Sequence, residues 1–269
     1  MSTLDPLQLR FSHEELVVLL ELQELPMIAG IGQNPFGYLT ENIQTLLKQA
    51  ALRSLLARNI VKINADGKST VDEHLSKILF FCAHPLKLIT IIWQEDGTIH
   101  TEYVYQVPEL SIVHAQVYPG VHELVLFESD NTPFTANLLE RLNCSADTLP
   151  AEQFTLSRRD FNHLHAMAEA STESELKELL ISLSIEEQIA TRYTTSLISG
   201  GIKFLVEAVS TEGQDQTKQE LTILATPQGC WLIEGMGDPE KELITIKTVD
   251  ANKIGSRLKE IFRVGGITP

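Results

Sequence analysis

Three cysteines in 269 residues leave little with which to staple a fold. Cys82, Cys144 and Cys230 are odd in number, far apart and without CxxC spacing, so neither a disulfide framework nor a thiolate zinc site is expected. Basic residues are also scarce, with 21 Lys and Arg against 36 Asp and Glu, a formal charge of −15. The deficit is spread along the chain, and the longest basic group, Arg158–Arg159, stands beside Asp160. Phosphate backbones and anionic membrane surfaces need clustered Lys and Arg, so neither is an expected partner. No uncharged apolar run approaches the ~20 residues of a membrane span. The opening residues MSTLDPLQLRFSHEE carry no basic, apolar leader pattern, and the expected compartment is the cytoplasm.

Motifs that carry chemistry are missing too. There is no G-x-S-x-G elbow and no phosphate loop. Ser199-Gly200-Gly201 reads as a helix end, and Gly235-Met-Gly237 as a turn. His163 and His165 stand two apart on an expected helix and point away from each other. Cys82-Ala-His84 lacks two further donors, so Cys82 reads as a buried structural thiol. The acid pairs Glu14-Glu15, Asp72-Glu73 and Glu186-Glu187 sit in first helical turns, where the helix dipole accounts for them. No catalytic residue, cofactor site or metal site is assigned.

What the chain does have is a pattern that occurs twice. Four β-rich runs, LKLITIIW, TIHTEYVYQV, LSIVHAQVY and VHELVLFES, end in the amphipathic segment PFTANLLERL. Later IKFLVEAVS, QELTILAT, GCWLIEGM and ELITIKTV end in ANKIGSRLKEIF. Strands come in runs and helices cluster before each run, which argues α+β with antiparallel sheets rather than βαβ order. The expected fold is two pseudo-symmetric halves, each an antiparallel β-meander flanked by helices. The first, 1–147, holds helices at 12–25, 41–57 and 71–83, a meander at 86–129 and a helix at 133–142. The second, 148–269, holds helices within 159–200, a meander at 202–249 and a helix at 251–262. Ser12 and Glu15 stand at capping-box spacing, with Phe11 as a staple residue. Ile43, Leu46, Leu47, Ala50 and Leu55 follow a helical period. Asp66-Gly67 and Pro119-Gly120 mark hairpin turns.

Three stretches resemble the start of EspG-type proteins, the chaperones associated with ESX (type VII) secretion: FSHEELVVLLELQELP, ALRSLLARNIV and DEHLSKILFFCAHP. The second has Asn59 where that family has a glycine. Late in the chain, Ala225-Thr-Pro-Gln-Gly-Cys230 matches a Thr-Pro-x-Gly core without the flanking acid and arginine of the family. The resemblance implies an α+β protein of two related halves that binds the helical tip of a secreted partner and is not an enzyme. It carries no individual binding residue over.

The residues themselves point to a non-enzymatic cytoplasmic protein-binding protein, and the resemblance implies that it is a secretion chaperone or adaptor. Its partner would present a helical, basic or apolar face, and a homodimer stays open. The apolar loop Met27–Leu39 and the aromatic residues Phe36, Tyr38, Trp93, Tyr103, Tyr105 and Trp231 are the candidate contacts; each tryptophan faces either a core or an exposed sheet surface. Two alternatives remain. One is a winged-helix regulator built on 42–83. The other is an enzyme whose site is assembled from distant residues.

Overall fold

The computed structural model describes residues 7–37, 39–95, 97–108, 110–128, 132–142, 150–168, 170–199, 202–210, 217–226, 229–236 and 243–263. Tyr38 lies outside them, as do the stretch 143–149, which holds the expected boundary between the halves, and the stretch 211–216. The elements run in chain order as β1 (Gln8–Ser12), α1 (His13–Leu22), α2 (Glu41–Ala57), β2 (Val61–Ile63), β3 (Ser69–Val71) and α3 (Glu73–Ala83). The first meander follows as β4 (Lys87–Glu95), β5 (Thr98–Val107), β6 (Leu110–Tyr118) and β7 (Val121–Glu128), then α4 (Thr132–Leu142). The rest are β8 (Gln153–Ser157), α5 (Arg158–Ala168), α6 (Glu173–Ser182), α7 (Glu187–Ile198), β9 (Ile202–Ser210), β10 (Thr217–Thr226), β11 (Gly229–Met236), β12 (Leu243–Val249) and α8 (Ala251–Phe262).

The α+β class and the antiparallel meanders are as expected, but the two sheets are one. Strands order as β1-β7-β6-β5-β4-β9-β10-β11-β12-β8, ten in a single sheet. Read from either edge, a short N-terminal strand is followed by a four-strand meander in reverse order. The halves join where β4 pairs antiparallel with β9, Ile91 opposite Val206. The join holds because both strands put β-branched and aromatic side chains on one face. Ile89, Ile91 and Trp93 lie beside Phe204, Val206 and Ala208 in one core that crosses the seam.

That face is covered at its centre by α4 and α8, through Phe134, Leu138, Ile254, Leu258 and Phe262. The sheet also ties down the end of α8. Gln106 Nε2 donates to the Phe262 carbonyl at 2.8 Å and Lys87 Nζ to the Arg263 carbonyl at 3.1 Å, a cation where the helix dipole is negative. On the opposite face α1, α2 and α3 cover the first meander, and α5, α6 and α7 the second.

Local signals set the helix ends. Ser12 Oγ accepts the Glu15 N–H and Glu15 Oε2 accepts the Ser12 N–H, closing the expected capping box. Asp72, Thr172 and Asp250 cap α3, α6 and α8. At their C-termini α1, α2 and α6 turn back identically. The N–H of Leu25, Ile60 and Ile185 reaches the carbonyl of Leu20, Leu55 and Leu180, and the preceding residue is left-handed. Asn59, at φ 57°, is one of these residues; its side chain tolerates that region better than most, which explains how it stands in for a glycine.

Three features go beyond the sequence reading. The α2 stripe is buried only in part: Ile43 and Leu46 are 45% and 62% exposed, while Leu47 and Leu55 join Ala51 against the core. The edge strands β1 and β8 have no counterpart among the expected elements. Cys230 is disulfide-bonded, against the expected absence of disulfides, whereas Cys82 is free and its buried thiol is pushed up by desolvation.

Candidate functional site

The β5–β6 ladder stops early. It pairs Val107 with Leu110 at the hairpin end and ends at Glu102 opposite Ala115. Beyond that rung β5 continues only with β4, down to Thr98, and β6 continues only with β7. A register shift between Gln116 and Tyr118 interrupts the β6–β7 ladder beside this point. Two hairpin tips therefore diverge like fingers, leaving a cleft of about 560 Å³ between them. Exposed apolar side chains stand on both tips: Ile99 at 70%, Val117 at 47% and Tyr118 at 69%.

One wall of the cleft is charged and aromatic. Trp93 is stacked between His100 and Phe204, with centroids at 5.1 and 5.7 Å. The Arg141 guanidinium lies 5.1 Å from the Trp93 ring centre, and its Nη1 donates to Glu102 Oε1 at 2.9 Å. The Glu102 side chain is 8% exposed, and among the described residues no protein group donates to its second oxygen, Oε2.

The other wall carries His114 and His122, two members of a hydrogen-bonded chain of imidazoles. Tyr105 Oη lies 2.8 Å from the Ala29 carbonyl, which only accepts, so the hydroxyl donates there. Its lone pair then accepts from His114 Nδ1 at 3.2 Å. His114 Nε2 accepts from His122 Nδ1 at 2.8 Å, and His122 Nε2 from His13 Nδ1 at 3.2 Å. The carbonyl thus fixes one tautomer at every step. Burial, and then the neighbouring His122, push His114 down to about 3. His122 is pushed down to about 4 by burial and His13, with Glu14 opposing. Gly30 closes this wall at φ +84°; a Cβ there would fall 2.7 Å from the Tyr103 ring and 3.0 Å from that of His114.

Of the sequence candidates, the fold brings Trp93 and Tyr103 together at the cleft. Phe36, Tyr105 and Trp231 are corrections. Phe36 is buried edge-on to His13, with the Lys48 ammonium 5.7 Å from its ring. Tyr105 is locked by the imidazole chain. Trp231 is fully buried, donates from Nε1 to Ser196 Oγ at 3.0 Å and packs on Tyr193. None of these three presents a surface to a partner. Sequence reasoning missed Ile99, Glu102, Val117, Tyr118 and Arg141. The Pro119-Gly120 turn carried one usable signal, because it folds His122 back beside Gln116 and so next to His114.

Among the described residues no group of three His, Cys, Asp or Glu side chains is arranged to hold a metal, and the imidazole chain uses both nitrogens of His122 and His114. His163 is exposed whereas His165 meets Tyr193 Oη at 3.1 Å, so the two diverge as their spacing requires. The two basic residues of α2 leave little for the winged-helix reading: Lys48 is tied to Glu21, and Arg53 donates to the Gln49 carbonyl of its own helix. Among the described residues no helix is long and apolar enough to cross a membrane.

No family model and no curated protein matches the chain. Among solved structures it is similar to the type VII secretion system chaperone EspG5 of Mycobacterium tuberculosis, solved in complex with the PE25–PPE41 dimer. The fold resembles that of EspG5. The likeness covers 95% of each chain with a TM-score of 0.68 and 10% identity, so it shows the architecture alone. EspG5 nonetheless has, over nearly its whole length, the same kind of α+β arrangement that the sequence resemblance implied.

Proposed function

We propose that this chain is a non-enzymatic protein-binding protein, a chaperone or adaptor of the EspG kind, that holds a helical segment of its partner between the two hairpin tips. The observation that supports this most is the set of exposed apolar residues, Ile99, Val117 and Tyr118, flanking one cleft on diverging hairpins. Exposed large apolar groups on both lips of a concave surface are what an amphipathic helix needs for anchorage. The EspG5 likeness adds a protein of the same fold that is known in complex with a protein dimer. A cytoplasmic address is part of the proposal; the Cys230 disulfide is the observation that pulls against it.

The test is site-specific photo-crosslinking in the native host. A photoreactive residue replaces Tyr118 in one version and Ile181, exposed on α6, in another. The expected result is a single adduct mass from position 118 that is absent from 181 and lost when Ile99→Asp is added. Equal labelling from both positions, or none from 118 in a folded protein, would overturn the reading. An adduct of twice the chain mass would identify a second copy as the partner.

A further inference from the structure

We infer that the cleft has a seat for a basic side chain of the docked partner, with the free oxygen of Glu102 as its acceptor. This deepens the docking reading above and rests on it. Glu102 closes the last rung of the β5–β6 ladder, so its carboxylate stands where the two fingers part. It is more than nine-tenths buried, yet among the described residues only Oε1 has a donor. A buried carboxylate oxygen without a donor is a rare and unfavourable state that a ligand donor would relieve. The surrounding rings suit a cation: Trp93 already holds the Arg141 guanidinium against its ring, and His100 and Tyr103 add further aromatic surface to the lining. A charge-assisted bond to Oε2 is stronger than a neutral one, and the chain's net charge of −15 favours the approach of a cation. Among the described residues lining the cleft, Arg141 is the one like charge. It binds Glu102 through a single bond, with 38% of its own side chain exposed. A second guanidinium would share the carboxylate with it.

The two tryptophans provide the readout. The indole N–H of Trp93 reports on the cleft, while that of Trp231, bonded to Ser196 in another core, reports on the fold. The ¹⁵N-labelled protein is titrated with N-acetyl-arginine amide, with the neutral N-acetyl-citrulline amide as control. A single side chain held by one carboxylate and a ring binds in roughly the millimolar range, so titration runs to ~50 mM. The expected result is a saturable shift of the Trp93 signal with arginine and none with citrulline. Glu102→Gln should weaken it at least about fivefold, while Arg141→Gln, which removes the like charge, should strengthen it. The inference is overturned if the Trp93 signal does not saturate in either the native protein or Arg141→Gln. Equal shifts with citrulline, or undiminished binding by Glu102→Gln with Trp231 unmoved, also overturn it. If crosslinking at position 118 succeeds while this titration fails, docking stands and the basic anchor falls.

Discussion

Three helices end on a residue that geometry asks to be glycine. Glu24, Asn59 and Ser184 have φ of 55°, 57° and 68°, each followed by an apolar residue whose N–H closes the turn. Left-handed backbone costs an ordinary L-residue about 1–2 kcal/mol, less for asparagine. Glu24→Gly and Ser184→Gly should therefore each stabilise the protein, by about 1 kcal/mol at most because glycine loses more freedom on folding. Asn59→Gly should change little. Chemical denaturation checks this: an unchanged or lowered midpoint for Glu24→Gly would show that its side chain makes an interaction worth more than the strain. These helix ends were only partly legible. The Leu-to-Leu or Leu-to-Ile spacing of five residues is present in the sequence at all three, but without a glycine it does not stand out from an ordinary helical period.

Elements meet where a local signal also does long-range work. Glu15 was readable as a capping residue because its partner, Ser12, is three positions away. Its second role depends on tertiary packing that no local spacing encodes. Oε1 accepts from Ser54 Oγ at 2.6 Å and Arg58 Nη1 reaches both oxygens, so one carboxylate caps α1 and ties it to α2. The residue is 5% exposed. Glu15→Ala should remove both roles and cost about 3 kcal/mol, with Ser54 and Arg58 left unmatched. Ser12→Ala, which removes only the cap, should cost about 1 kcal/mol. Equal losses in urea unfolding would mean that the α1–α2 tie contributes nothing. The same division explains the rest of the legibility. Meanders and caps were readable because their signals are short-range. The single sheet, the part-exposed α2 stripe and the finger cleft were not, because they depend on which strands pair and where a ladder stops. The hydrophobic period of α2 is present, but period alone does not say which face finds a partner. Trp93 and Trp231 show the same limit: both sit in apolar strands, yet one borders a cleft and the other is sealed under α7.

At the scale of the whole molecule, buried neutral histidines set the response to acid. His114 is held at about 3, and His122 and His165 at about 4, against an ordinary value of 6.5, each chiefly by burial. The folded state therefore takes up their protons later than the unfolded state does. Their contribution to stability is complete above about pH 6.5 and falls as pH drops from there toward 4 and then 3. Glu73, Glu175, Glu187 and Glu234, held below the usual carboxylate value of 4.5, act in the same direction, but only below that value. The histidines therefore dominate the upper part of the window from pH 6.5 to 5, before the carboxylates begin to titrate. The excess of negative charge works the other way, since acid relieves self-repulsion, so the measurement belongs in about 0.5 M salt, where screening reduces that effect to a few ångström. Under those conditions stability should fall by more than about 1.4 kcal/mol per pH unit, the value for one proton, because several groups titrate together. His114→Gln should remove about one proton from that slope. His13, His122 and His114 share one hydrogen-bonded chain, so the variant also alters the others, and the slope rather than any single midpoint is the quantity to compare. A native protein whose urea midpoint stays flat from pH 6.5 to 5 would mean that the imidazole chain accepts its protons while folded, in which case the wall of the cleft would itself become charged in acid.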